Sequence, residues 1–327
     1  MRAMVIESYG GPERLVPRDI PTPVPAAGDV RIRVKAFGVN RAETYMRKGQ
    51  WPEISEISGI EGVGEIDEDP SGTLRRGQTV AAIMGGMGRT RFGSYAEYTC
   101  VPRGNVFALE TTLSWSDLAA IPESYATAWT CISDILRIGP GQVVLIRAAS
   151  SALGQAAVNI AHAAGATILA TTRDPNRFPH LQDLGAATVL AENGTVHEAV
   201  RNLYPAGIDG VLDLVGNRVL RDSLRAVKRG GQVCQAGFLG GPEPVDAFNP
   251  FLDIPSGARM TFFGSFVYGT PDFPTSDVPM QTIVERVENG TYRAKPARVF
   301  PFDRLPDAHR LMESNQANGK IVVVLPS

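Results

Sequence analysis

Residues 143–173, VVLIRAASSALGQAAVNIAHAAGATILATTR, constrain the fold of this chain more than any other stretch. A β-type run from Val143 to Ile146 gives way to the small residues Ala148-Ala149-Ser150-Ser151-Ala152-Leu153-Gly154, then to a helix pattern, then to a second β-type run, Thr167 to Thr171. Strand, tight turn, helix and strand in roughly 30 residues is the size of one dinucleotide-binding half. Small residues at the turn let a helix N-terminus approach a pyrophosphate, whose charge the free N–H groups and the helix dipole favour. With Gly154 as the third glycine of the fingerprint, the first two positions hold Ala149 and Ser151. As a bare pattern this match is weak; its place after a strand and before a helix carries it. The bland alternative is a βαβ crossover without a ligand.

The end of the second run bears on which dinucleotide would fit. NAD sites of this type usually place Asp or Glu about 20 residues after the turn, on the ribose 2′-OH. Here the run ends Thr171-Thr172-Arg173, followed by Asp174-Pro175-Asn176-Arg177. Arg173 can fork onto a 2′-phosphate, and Arg177 follows about one helical turn later. Asp174 reads as an N-cap before Pro175. The expected cofactor is NADPH; the alternative is that both arginines are solvated charges at a helix start.

Bulk properties narrow the classes of function. The chain has 327 residues, 43% hydrophobic and 20% charged, which suits two soluble globular domains. A net charge of −2 without a basic block argues against nucleic acid or a membrane surface as the main partner. No apolar run approaches the ~18 residues of a membrane span. Cys100, Cys131 and Cys234 are odd in number and far apart, as in a reducing, cytoplasmic setting.

Along the chain, the first third is β-rich: Met1–Ser8, Val30–Phe37, Gly62–Ile66, Thr79–Ile83 and Tyr95–Val101 have strand character. A helix is expected over Tyr125–Leu136. Strands at 143–146, 167–171, 187–190, 210–214 and 232–236 then alternate with helices at 154–164, 176–184, 195–203 and 217–228. Such alternation argues a doubly wound parallel sheet. Beyond it come a strand candidate (Arg259–Val267), helices at Val278–Asn289 and Leu305–Asn315, and a last strand, Gly319–Leu325. The expected division is one domain from residues 1–118 and 258–327, bracketing a dinucleotide-binding domain at 119–257.

Read together, Gly38-Val39-Asn40-Arg41-Ala42-Glu43-Thr44-Tyr45, Gly59-Ile60-Glu61-Gly62-Val63-Gly64, Gly93-Ser94-Tyr95-Ala96-Glu97-Tyr98, Tyr125-Ala126-Thr127-Ala128-Trp129, Asp213-Leu214-Val215-Gly216, Gly237-Phe238-Leu239-Gly240-Gly241 and Gly319-Lys320-Ile321-Val322 fall in one order. In that order the chain resembles the medium-chain dehydrogenase/reductase superfamily, and within it the zinc-independent quinone oxidoreductases related to zeta-crystallin. The resemblance implies a GroES-like β-rich catalytic domain plus a Rossmann-type α/β domain, a cleft between them for nicotinamide and substrate, and assembly as a dimer or tetramer, of which the homodimer is expected. Zinc-dependent relatives use a cysteine and a histidine where this chain has Asn40 and Ile60, and neither side chain is a zinc ligand. The four histidines (162, 180, 197, 309) read as surface helix residues. Without a Lewis acid, alcohol oxidation is disfavoured, while hydride delivery to a conjugated acceptor stays feasible.

The resemblance also assigns roles. Tyr45 matches a tyrosine lining the quinone site, where its hydroxyl would hydrogen-bond the carbonyl or relay a proton; the alternative is an aromatic wall. Asn40 would contact the nicotinamide ribose or the substrate oxygen, or merely cap a turn. Glu43 would orient Asn40 or Arg41. Thr127 would lie near the nicotinamide; the alternative is a buried helix hydroxyl. Phe238 and Leu239 follow a strand C-terminal end, where their backbone groups would hold the carboxamide, with the Phe238 ring as cleft filler the alternative, and Val215 and Gly237 are also expected to bind the cofactor. Relatives often carry a 2′-phosphate tyrosine after the third strand, where this chain has Leu190-Ala191-Glu192-Asn193; Glu192 pointing inward would weaken phosphate binding. Trp51, Met84, Met87, Phe92, Phe263 and Tyr268 suit either an apolar cleft or a core. The expected activity is NADPH-dependent reduction of a quinone. Enoyl or enone reduction is the alternative, and cofactor binding with little catalysis is a third.

Overall fold

The computed structural model describes residues 1–326. They divide into two compact units. The first comprises 1–126, 265–290 and 294 onward; the second comprises Thr127–Gly264 and Thr291–Arg293. Relative to the sequence boundaries, residues 119–126 fall with the first unit and 258–264 with the second. The latter shift has a direct cause, because Arg259–Phe262 pairs in parallel with the preceding strand of the dinucleotide sheet.

In chain order the first unit opens with β1 (Arg2–Ile6), β2 (Leu15–Asp19), β3 (Asp29–Val39), α1 (Arg41–Arg47), β4 (Glu61–Glu68), β5 (Thr79–Ile83), β6 (Tyr98–Pro102), β7 (Val106–Ala108), α2 (Trp115–Leu118) and the first residues of α3 (Pro122–Trp129), whose last three, from Thr127, count with the second unit. The second unit supplies β8 (Val143–Arg147), α4 (Ala152–Ala163), β9 (Thr167–Thr172), α5 (Phe178–Asp183), β10 (Thr188–Ala191), α6 (Val196–Leu203), β11 (Ile208–Asp213), α7 (Leu220–Ala226), β12 (Val227–Gln235), α8 (Pro250–Asp253) and β13 (Arg259–Phe262). The chain then returns to the first unit as α9 (Met280–Glu288), β14 (Arg298–Pro301), α10 (Leu305–Ser314) and β15 (Ile321–Val324).

β3 organises the first unit. Val30, Ile32, Val34 and Ala36 are buried while the basic residues between them reach outward, the period-2 pattern of a strand with one face on a core. The sheet runs β14-β15-β3-β4-β5-β7, with β6 also on β3. β15 pairs antiparallel to the end of β3, placing Ile321 opposite Val39 and Val322 opposite Gly38. That register brings the C-terminal strand beside Asn40. One apolar core gathers Val30, Ile32, Ile66, Val80 and Val101. A second joins Met4, Phe37 and Tyr95 to Leu305 and Ala308 of α10.

In the second unit the strands are ordered β10-β9-β8-β11-β12-β13, and every pairing is parallel. Counted within the sheet this is 3-2-1-4-5-6, the doubly wound Rossmann order, whose direction reverses between β8 and β11. β8 is buried from Val144 to Arg147, as expected of a parallel strand covered on both faces. Several elements differ locally from the sequence reading. The helix expected over Tyr125–Leu136 passes from α3 into a π-helix at Thr130–Ile135. The strand expected to run to Val267 stops at Phe262, where its partner β12 ends at Gln235. The strand expected from Tyr95 begins at Tyr98, because the Tyr95 backbone bonds instead to Ser58 and Met4.

Candidate active site

The turn between β8 and α4 is built as a phosphate-binding turn requires. Ser151 caps α4, its hydroxyl accepting from Gly154 N at 3.1 Å. A Cβ on Gly154 would lie 2.6 Å from Ala149 Cα and 2.7 Å from two backbone oxygens, so only glycine lets the helix pack this close to the strand end. The left-handed residue of the turn is Ala148, with φ 57°. Its N–H is held by Thr171 Oγ1 at 3.0 Å, and the next N–H by Thr171 O at 2.9 Å. The amides of Ala152 and Leu153, in the first turn of this 12-residue helix, precede its first i→i−4 bond. They point to where an anion would sit.

The hydroxyls and cations expected around a 2′-phosphate lie together. Ser150 Oγ is 3.2 Å from Thr172 Oγ1 and accepts from Arg177 Nη1 at 3.3 Å. Arg173 is exposed beside them. Asp174 caps the next turn by accepting from Asn176 N at 3.0 Å, and its other oxygen lies 3.3 Å from Arg177 Nε. Glu192 does not point at this pocket. Its carboxylate takes two hydrogen bonds from the fully buried Arg147, at 3.0 and 2.5 Å, and one from Thr171 Oγ1 at 2.7 Å.

At the ends of β11 and β12, Asp213 accepts from Val215 N at 3.0 Å, Gly216 N at 2.8 Å and Ser223 Oγ at 2.6 Å. Burial raises its pKa, opposed by Arg147 and those donors. The loop carrying Gly237, Phe238 and Leu239 is tied down by Leu239 N to Leu214 O at 3.1 Å and Gly240 N to Val215 O at 2.8 Å. Val215, Gly237, Phe238 and Leu239 are all half-buried, beside the sheet's switch point. Thr127 is buried in α3. These residues share the second unit with the phosphate turn.

Asn40 and Tyr45 belong to the first unit, on either side of the start of α1, and both are half-buried. Asn40 is held in one orientation. Its Oδ1 accepts from Lys320 Nζ at 2.7 Å, and its Nδ2 donates to Glu61 Oε1 at 2.8 Å. Lys320 gives its remaining protons to Glu61 Oε1 at 2.5 Å and Ser124 Oγ at 3.1 Å. Glu61 Oε2 in turn accepts from Glu123 N, at 2.9 Å, in the first turn of α3. Lys320 and Glu61 are buried, with side chains 3% and 0% exposed. Gly38 makes room for the pair, since a Cβ there would collide with Lys320 Cε and Glu61 Oε1. One N–H of the Asn40 amide is left to give, on an amide whose oxygen is already bound to a cation.

Behind α1 lies a second polar cluster. Glu43 Oε2 accepts from Asn40 N at 2.6 Å and from Tyr95 Oη at 2.8 Å, and its Oε1 accepts from Ile60 N at 3.0 Å. Glu43 therefore orients Asn40, whereas Arg41 turns to Asn315. The single Tyr95 proton goes to Glu43, so His309 Nε2–H donates to Tyr95 Oη, 2.9 Å away. Burial raises the Glu43 pKa to about 7 despite these donors, and burial together with Arg47 lowers His309 to about 3. Burial and Glu43 hold Tyr95 well above its usual range. His309 is thus not a surface histidine: it is fully buried, because α10 turns this face onto the core of Phe37 and Tyr95. His197 is also only partly exposed, with Nδ1 2.5 Å from Asp222.

The zinc of dehydrogenases does not fit here. Asn40 is committed to Lys320 and Glu61, Ile60 is a buried hydrocarbon, and the described residues contain no group of three or more His, Cys, Asp or Glu placed to hold a metal. Of the apolar residues, Met87 lies in a core and Phe92 packs against one. Met84, Phe263 and Tyr268 are buried, Tyr268 donating to Ala126 O at 2.7 Å. Trp51 is half-buried. Lys320, Glu61, Tyr95, His309 and Arg147 are site or near-site residues that sequence spacing did not single out for a role.

A family described as "Alcohol dehydrogenase GroES-like domain" matches residues 26–111, and one described as "Zinc-binding dehydrogenase" matches 152–281. The quinone oxidoreductase of Sus scrofa is 27% identical over 334 residues, covering 99% of this chain and 98% of that protein. Polyketide synthase GfsB of Streptomyces halstedii is 30% identical over 331 residues, and the chain spans 6% of its length. A solved structure titled NAD-dependent alcohol dehydrogenase is 28% identical, with a TM-score of 0.85 and complete coverage of both chains.

Proposed function

We infer the activity from one premise: the chain belongs to the medium-chain dehydrogenase/reductase superfamily, in the quinone oxidoreductase family related to zeta-crystallin. It is an oxidoreductase with a nicotinamide-dinucleotide-binding fold. The finer proposal is NADPH-dependent, zinc-independent transfer of a hydride to a quinone. The observation that carries it is the Lys320–Glu61–Asn40 cluster, standing where zinc relatives place a metal ligand.

When bound, the reduced nicotinamide supplies the hydride. The chain's residues do the rest. Ser150, Thr172, Arg173 and Arg177 hold the 2′-phosphate, and Ser151, Ala152, Leu153 and Gly154 form the turn against the pyrophosphate. Thr127, Val215, Gly237, Phe238 and Leu239 hold the nicotinamide end. As negative charge grows on the acceptor oxygen, Asn40 gives its remaining N–H, made a stronger donor by the fixed ammonium on its oxygen. Tyr45 donates from its hydroxyl or relays a proton. A quinone suits this arrangement because its own π system spreads the charge without a Lewis acid.

The described residues include no helix long and apolar enough to cross a membrane. Cys100, Cys131 and Cys234 are not joined in disulfides, which suits the cytoplasmic setting we propose. We also propose a homodimer. β13 is an edge strand, and Met260 and Phe262 on it, with Phe251 and Leu252 on α8, are exposed. An open edge beside exposed apolar side chains is suited to pairing with a second copy.

The test is oxidation of NADPH and NADH, followed at the nicotinamide absorbance, with paired quinones and enones and with chelator present. Quinone-dependent NADPH loss that survives chelation is the expected result. Saturation of an enone without quinone turnover moves the chain to the enoyl or enone reductase reading, in which Asn40 and Tyr45 address the same carbonyl. Silence with both acceptors leaves a cofactor-binding role.

A further inference from the structure

The buried arginine under the phosphate turn has a role that the reaction scheme does not use. Arg147 ends β8, where the strand is otherwise apolar, and is fully buried. Its Nε and Nη2 bind the two carboxylate oxygens of Glu192, at 3.0 and 2.5 Å. Its Nη1 binds Asp222 Oδ2 at 2.6 Å and Ser223 Oγ at 3.0 Å. Glu192 stands directly beside the expected 2′-phosphate pocket. Its N–H donates to Thr172 O at 2.9 Å, and its Oε2 accepts from Thr171 Oγ1, the hydroxyl that also holds Ala148 N. Its side chain is 7% exposed, so water screens it poorly. An unpaired carboxylate here would repel a phosphate next door.

We propose that Arg147 is a specificity-determining residue: by holding both Glu192 oxygens in a bidentate ion pair, with a charge it shares with Asp222, it offsets and fixes away from the pocket a carboxylate that would otherwise bias this site toward the dinucleotide lacking a 2′-phosphate. The inference rests on the NADPH reading above. Glu192 is the acid that follows the third strand of the sheet, β10, and Arg147, two strands away on β8, reaches past β9 to pair with it. Bidentate geometry matters because it directs both carboxylate oxygens away from the pocket and fixes them there.

The experiment is titration of the whole protein with NADPH and with NADH, without acceptor, read by nucleotide fluorescence, to obtain the ratio of the two dissociation constants. Arg147→Met should reduce the preference for NADPH by roughly tenfold, the scale of one unscreened charge near the pocket. Adding Glu192→Gln to it should bring the ratio back toward that of the natural chain. Glu192→Gln alone leaves Arg147 less compensated and should raise the preference several-fold; it keeps the test decisive where Arg147→Met fails to fold. A folded Arg147→Met with an unchanged ratio overturns the inference, as does an unchanged or lowered ratio in Glu192→Gln. A natural chain that prefers NADPH while no variant moves the ratio sinks this inference and leaves the cofactor reading standing. A natural chain without preference for NADPH sinks both.

Discussion

The phosphate turn of the second unit and the Asn40 cluster of the first solve the same problem by different means. In the function proposed above, each presents a hydrogen-bond donor to a negatively charged or charge-gathering group. The turn does so with backbone: a helix N-terminus, one glycine with no room for a side chain, and a hydroxyl cap from Ser151. The Asn40 cluster does so with side chains from four places in the chain, residues 40, 61, 124 and 320. Backbone donors are fixed wherever the strand and helix form. Side-chain donors are fixed only while a buried ion pair stays whole, so the second solution is the more fragile.

The largest test of that difference is Lys320→Met. It leaves Glu61 buried without its cation, and breaking one side of such a pair costs about 3–5 kcal/mol. Urea unfolding should show that loss, and Glu61→Gln added to Lys320→Met should recover part of it. Turnover should fall more than KM rises, because the Asn40 amide loses its orientation and polarisation, while NADPH binding measured without acceptor should hold. If turnover survives in folded Lys320→Met, the Asn40 cluster is a structural pair and nothing more.

Next in size is the pH dependence of the cluster behind α1. Glu43, raised to about 7, carries a proton in the folded chain but not in the unfolded one between about 4.5 and 7. Its contribution is full below 4.5 and is lost as pH rises through 7. His309, lowered to about 3, is neutral folded and charged unfolded between about 3 and 6.5. Its contribution is full above 6.5 and is lost as pH falls through 3. Each slope is at most about 1.4 kcal/mol per pH unit, and the two oppose. Unfolding midpoints of the natural chain should therefore change little between pH 4.5 and 6.5. Glu43→Gln should unmask stability that rises with pH over that range, and His309→Gln should unmask the reverse.

What could be read in the sequence follows the same division. The dinucleotide turn lies within a single span from Val143 to Thr172, and its strand, cap and glycine are neighbours in the chain. The N-cap role of Asp174 was legible for the same reason, since it rests on a partner two residues away. Lys320 is 280 positions from Asn40, and nothing local to either residue predicts their contact. The register of β15 on β3 creates it. His309 shows the converse error. One buried histidine on a helix with charged neighbours looks like any surface histidine until the opposing Tyr95 is known. Glu192 was visible as a threat to phosphate binding, but its neutraliser Arg147 is 45 residues earlier and on another strand.

A smaller effect sharpens the comparison inside the second unit. Replacing Arg173 and Arg177 together by alanine should raise KM for NADPH far more than for NADH, by roughly one to two powers of ten: one hydrogen bond to a charged group is worth about 1.5–3 kcal/mol, and water screens most of the share of the exposed Arg173. Equal changes for both dinucleotides would remove these arginines from the phosphate role and leave them as the solvated helix-start charges of the bland alternative.

The smallest prediction concerns Ser151. Its hydroxyl already accepts from Gly154 N, so it acts on α4 and not on the 2′-phosphate. Ser151→Ala should cost about 1 kcal/mol of stability, the usual loss for an N-cap. The freed Gly154 amide is then one more unpartnered donor at the helix start, so both dinucleotides should bind with similarly altered affinity and their ratio should not move. Paired titrations of NADPH and NADH measure this directly. A change in the ratio would mean that Ser151 reaches the ribose, and that the turn too depends on a side chain, which would erase the distinction between the two regions.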